Sequence, residues 1–128
     1  MRYKLTVVEN PEYLHVIVTG KNSKKAAAQY LQEILRESKS RNCRKLLIEE
    51  RLTGPRLDMF PVFEIVKDAS RQALGVFDAI AYVDVNAEGD LMQFAETVAS
   101  NRGIPVTVFP TVAEAKSWLT SVVTATEK

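Results

Sequence analysis

Apolar and polar residues alternate from the start of the chain. Tyr3, Leu5 and Val7 are separated by Lys4 and Thr6, the period-two pattern of a half-buried strand. Asn10-Pro11-Glu12 breaks the run as a turn, and Tyr13 to Thr19, rich in β-branched residues, reads as the return strand of a hairpin. Gly20 closes that strand, and Asn22 or Ser23 stands where a helix cap belongs. Ala27, Tyr30, Leu31, Ile34 and Leu35 then recur at i, i+3, i+4 spacing, so one stripe of the helix should be buried. Lys24, Lys25, Arg36 and Glu37 fall largely off that stripe and are expected in solvent.

After a polar break at Ser40-Arg41-Asn42, Leu46-Leu47-Ile48 is a short continuous apolar run, as in a strand buried on both faces. Glu49 to Phe60 reads as the loop that follows, dense in charge and broken by Gly54-Pro55. Asp58 is a candidate cap for a helix from Phe60 to about Arg71, with Pro61 tolerated in its first turn. Ala79 to Val85 is the fourth strand. Gly89-Asp90 opens a third helix, with Asp90 and Gln93 spaced as a capping box, a stripe of Leu91, Phe94, Ala95, Val98 and Ala99, and Gly103 as its stop. Ile104 to Phe109 is a fifth strand. Thr111 and Glu114 form a second capping box, opening a last helix that buries Val112, Ala115, Trp118 and Leu119. The order β-β-α-β-α-β-α-β-α predicts an α/β fold whose five-stranded sheet is mostly parallel, with an antiparallel first strand. A single domain, 1–128, is expected, with a frayed tail from about Thr120.

Composition narrows the function classes. Seventeen basic and 16 acidic residues leave a net charge of +1, which gives no electrostatic reason to expect nucleic acid or an anionic membrane as partner. No apolar run approaches the ~18 residues of a membrane span. Met1-Arg2-Tyr3-Lys4 leads straight into strand pattern without a signal-peptide apolar region, and the lone Cys43 cannot form an internal disulfide. A cytoplasmic protein without metal or cofactor is expected. Arg41 and Arg44 flank Cys43 and would favour its thiolate, although Cys is more often a small buried hydrophobe.

The element order, together with Arg102-Gly103-Ile104-Pro105-Val106 and the closing Thr111-Val112-Ala113-Glu114-Ala115-Lys116-Ser117-Trp118-Leu119, resembles the STAS domain superfamily, in particular its SpoIIAA-like branch of small stand-alone bacterial proteins. The resemblance covers roughly Met1 to Leu119. It implies βα units wound as a superhelix, strands adjacent in chain order, and helices mainly on one face. Members that antagonise anti-sigma factors are switched by phosphorylation of a serine at the start of the helix after the third strand. Here that segment reads Leu57-Asp58-Met59-Phe60-Pro61. Asp58 matches the motif's aspartate, but Met59 and Phe60 offer no hydroxyl, so the phosphoserine switch does not carry over.

Within the loop, Thr53 and Gly54 could present a hydroxyl and backbone N–H groups to an anion beside Arg51 and Arg56, while a turn with Gly54 at positive φ explains the same residues more simply. Glu49 and Glu50 are adjacent, so a strand would point them to opposite faces, and solvated charges or partners of Arg51 are their expected roles. His15, the lone histidine, has no nucleophile or paired carboxylate at a recognisable spacing. Small Ala79, Ala81, Val83 and Val85 suit the helix-covered side of the fourth strand. Ile80 and Tyr82 would then join Tyr13, His15 and Ile17 on an open face, a candidate homodimer interface. The expected function is a non-catalytic regulatory or protein-interaction module. Its candidate binding residues are Arg51, Thr53, Gly54, Arg56, Asp58, Met59, Phe60 and Phe63. The alternative is a carrier or sensor of a small molecule or lipid, with an apolar pocket between the sheet and the Met59-Phe60-Val62-Phe63-Ile65-Val66 helix.

Overall fold

A computed structural model describes residues 3–54, 57–84 and 89–122, with residues 89 and 90 in their backbone only. The elements run β1 (Tyr3–Glu9), β2 (Leu14–Lys21), α1 (Lys24–Ser40), β3 (Lys45–Thr53), α2 (Met59–Ala73), β4 (Ala79–Asp84), α3 (Gly89–Ser100), β5 (Val106–Phe109) and α4 (Val112–Ser121). The sheet order is β1-β2-β3-β4-β5; β1 is antiparallel to β2 and every later pair is parallel. This is the α/β fold expected from the sequence.

Chain order within the sheet decides where the helices lie. Each of α1, α2 and α3 joins two neighbouring parallel strands, and each new strand is added on the same side of the last. Right-handed crossovers then put all three helices on one face. The packing agrees: Ala27, Tyr30 and Ile34 of α1, Ile65 of α2 and Ala99 of α3 share one core with Val16, Val18, Leu46, Ile48 and Ile80 of the sheet. Among the described residues α4 joins no pair of strands. Its Ala115 and Leu119 pack on the opposite face, against Leu47, Ala79, Ala81 and Val83.

Local signals explain the ends of these elements. Ser23 caps α1, its hydroxyl accepting from the Ala26 N–H at 3.0 Å, and Thr111 does the same for the Glu114 N–H at 3.2 Å at the start of α4. Gly103 stops the chain after α3 at φ +81°, a conformation that suits glycine. Asp58 occupies the N-cap position of α2 without a side-chain capping bond, and the Asp90 side chain lies outside the described residues. α4 ends at Ser121 and Val122 packs against the second core, while residues 123–128 of the tail expected to fray lie outside the described residues.

Two expectations are corrected. The charged segment after Ile48 is not loop from Glu49 onward. β3 continues to Thr53, because β2 pairs with it through Lys21↔Thr53 and β4 through Glu50↔Asp84. The phases of β4 are also the reverse of the expected ones. Ala79, Ala81 and Val83 lie under α4, where small side chains let the helix approach closely, while Ile80 lies under the three-helix layer. Tyr82 packs with that layer too, so Ile80 and Tyr82 do not share a face with His15 and Ile17.

Candidate functional site

β3 is the central strand, and its alternation builds the site. Leu46, Ile48, Glu50 and Leu52 point toward α1–α3, so a carboxylate stands in an otherwise aliphatic row. Between this row and the helices lies a cavity of about 590 Å³. Leu31 and Leu35 of α1, Val62, Ile65 and Val66 of α2, and Leu91 and Ala95 of α3 form much of its apolar wall. A volume in this range suits a small organic molecule.

Glu50 is only 5% exposed. Tyr30, one helical stripe across on α1, and Tyr82, its diagonal neighbour on β4, both donate their hydroxyls to Glu50 Oε2. The two phenol oxygens are themselves 3.3 Å apart. Burial, and after it the charge of Asp84 directly beside Glu50 in the sheet, push the Glu50 carboxyl up to about 7, although the tyrosine hydrogen bonds act the other way. Burial and the Glu50 charge hold both tyrosines well above their usual range, so they remain hydroxyl donors. The cavity is thus apolar along its walls and strongly hydrogen-bonding at this one place.

On the opposite face of the same strand, Glu49 accepts from His15 Nε2 at 2.8 Å and pairs with Arg51. Burial alone would raise the Glu49 carboxyl, but the hydrogen bonds from Arg51 and His15 outweigh it and hold the group below its ordinary value. The expected split of the two glutamates between faces is observed, and so is the pairing of Glu49 with Arg51. Their solvation is not, since both are buried.

The other sequence-predicted residues scatter around the cavity rather than into it. The Thr53 hydroxyl donates to the Gly20 carbonyl at 3.2 Å, and Gly54 turns the chain at φ +95°, which fits the turn reading. Arg56 lies outside the described residues. Met59 and Phe60 are 53% and 69% exposed at the start of α2. Phe63 meets the Arg102 guanidinium, 5.3 Å from its ring centre. Tyr13 packs in the α4 core, and His15 and Ile17 lie half-buried on that same face, toward the β1–β2 end. Of the candidate residues that are described, only Ile80 and Tyr82 line the cavity, in a role other than the interface expected for them. Cys43 is half-buried and donates to the Lys45 carbonyl at 2.8 Å; burial raises its thiol despite the lowering effect of Arg41.

The Tyr30–Glu50–Tyr82 cluster escaped the sequence reading because Glu50 was assigned to a loop. Its signal was present: Leu46, Ile48 and Leu52 place an acid in the middle of one apolar strand phase. Among the described residues no cluster of three or more His, Cys, Asp or Glu can hold a metal ion, and no helix is long and apolar enough to cross a membrane. Compared with known proteins, the chain matches no family model and no curated protein.

Proposed function

We propose that this protein is a non-catalytic carrier or sensor of a small, largely apolar molecule, held between the sheet and helices α1–α3. The cavity itself carries the reading: about 590 Å³ of space bounded by aliphatic side chains, with Tyr30, Glu50 and Tyr82 converging on one part of its wall. A largely apolar pocket of this size with a few convergent polar groups is the usual form of a small-molecule site. Binding is favoured over catalysis by how the polar groups are engaged. Both tyrosine hydroxyls donate to the glutamate, His15 is held by Glu49, and Thr53 is held by a backbone carbonyl. No nucleophile–base pair faces the cavity among the described residues.

Kinship with the STAS superfamily and a cytoplasmic location belong to the same proposal. The consecutive strand order, the three crossover helices on one face and the sequence features of the carboxy-terminal helix support the kinship, and the single, unpaired Cys43 supports the location. A regulatory contact with a protein partner, or with a second copy, is the companion reading. Exposed Met59 and Phe60 favour it, because they stand on the helix that also walls the cavity. Occupancy of the cavity would then be felt at that surface.

Titration with the fluorescent apolar probe N-phenyl-1-naphthylamine tests the proposal. Saturable one-to-one binding is expected, and Ala95→Phe, which fills the cavity from α3, should abolish it while leaving the circular dichroism spectrum unchanged. Absence of saturable binding, or equal binding by the filled variant, would overturn it.

A further inference from the structure

The polar groups of the cavity carry more than the presence of a ligand: they specify its head group. We infer that the cavity takes an apolar molecule bearing a primary amine, seated with its ammonium on the Glu50 carboxylate. This rests on reading the cavity as a ligand site.

The charges lining the cavity are lopsided. Among the described lining residues, Lys24 and Arg71 are basic, whereas Glu50, Glu64, Asp68, Asp84 and Glu96 are acidic. Both basic side chains are exposed and already paired, Lys24 with Glu64 at 2.6 Å and Arg71 with Asp68 at 2.9 Å. Glu96 accepts from the Val108 N–H at 3.1 Å, so it too presents an acceptor and not a donor. An anionic head near Glu50 would meet like charge in a poorly solvated place, where such repulsion is least screened.

The geometry around Glu50 supplies the attraction. Tyr30 and Tyr82 donate to the same oxygen, Oε2, and an ionised carboxylate retains acceptor capacity on Oε1. Burial, and the charge of Asp84 beside it across β3 and β4, favour a proton on Glu50. An ammonium nitrogen replaces that proton as the source of positive charge and offers three N–H donors. A buried carboxylate is costly without a charged partner, and the amine is that partner. The hydrocarbon portion of the molecule then occupies the Leu, Ile and Val wall.

Displacement of N-phenyl-1-naphthylamine by three ligands of equal chain length tests this: decylamine, decanol and decanoate, at neutral pH. In the unaltered protein, decylamine should displace the probe at concentrations about tenfold or more below decanoate, with decanol between them. In Glu50→Gln that advantage should shrink to about threefold or less. The comparison within the unaltered protein does not depend on the variant folding. Equal displacement by the amine and the carboxylate, a preference for the carboxylate, decanol matching decylamine, or an amine preference that survives Glu50→Gln would each overturn the head-group assignment while leaving the cavity a ligand site. Failure of the probe to bind at all would overturn both.

Discussion

Replacing Glu50 by Gln should remove a specific pH dependence of stability. In the folded protein, burial and then the neighbouring Asp84 raise the Glu50 carboxyl from 4.5 to about 7. The unfolded chain loses this proton near the ordinary value; the folded chain keeps it to about 7. Between those limits the folded state therefore binds the extra proton, and stability must fall as pH rises. Its contribution is complete below the ordinary carboxyl value, declines across the interval and is lost above about 7. At about 1.4 kcal/mol for each tenfold change in proton affinity, the full interval corresponds to roughly 3 kcal/mol. Glutamine stays neutral throughout, and its carbonyl oxygen still accepts from the tyrosines. Urea unfolding followed by circular dichroism at about pH 5, 6, 7 and 8 measures the effect. The variant should gain on the parent protein as pH rises, by most of that ~3 kcal/mol over the series. His15 and Glu49 are common to both proteins and largely drop out of the difference. A difference constant to within ~0.5 kcal/mol across the series would refute the reasoning, because Glu50 would then ionise in the folded state as it does in the unfolded chain.

Three further outcomes follow from the packing. Tyr30→Phe removes one of the two hydroxyls donated to buried Glu50 and should destabilise by about 1–3 kcal/mol in urea at neutral pH. Leu119→Ala empties a fully buried position under α4 and should cost about 2–5 kcal/mol by the same measurement, while leaving probe binding on the far side of the sheet intact. Phe60→Ser, at a side chain 69% exposed, should change stability by no more than ~0.5 kcal/mol. A thermal melt showing a much larger loss would mean that Phe60 is packed.

Period and punctuation made the architecture legible. The alternation in Tyr3–Val7, the helical stripe through Tyr30 and Ile34, the Ser23 and Thr111 caps and the Gly103 stop each act within a few residues, so the sequence displays them directly. The site was harder to read because it is made by long-range pairing. Glu49, Glu50 and Arg51 have the composition of a loop, and only their flanking strands hold them as strand. Once they are strand, alternation alone separates the His15–Glu49–Arg51 group from the Tyr30–Glu50–Tyr82 group. The two phases of β4 were assigned in reverse for a related reason. Small residues fit beneath any close-packed helix, and nothing local says whether that helix is one of the three crossover helices or α4. The sequence leaves Phe60 open between a pocket wall and a partner surface, and the position of α2 leaves it in solvent, outside the cavity lining.

The isoleucines provide the most direct measurement of whether the cavity receives a ligand. Ile34, Ile48, Ile65, Ile80 and Ile104 line it, whereas Ile17, the remaining isoleucine, lies on the opposite face of the sheet. In a methyl-selective NMR titration of the isoleucine-labelled protein with decylamine, the resonances of the five lining residues should shift together and saturate, with Ile17 nearly still. Shifts that favour Ile17, or that grow without saturation at all six, would contradict a ligand site between the sheet and helices α1–α3.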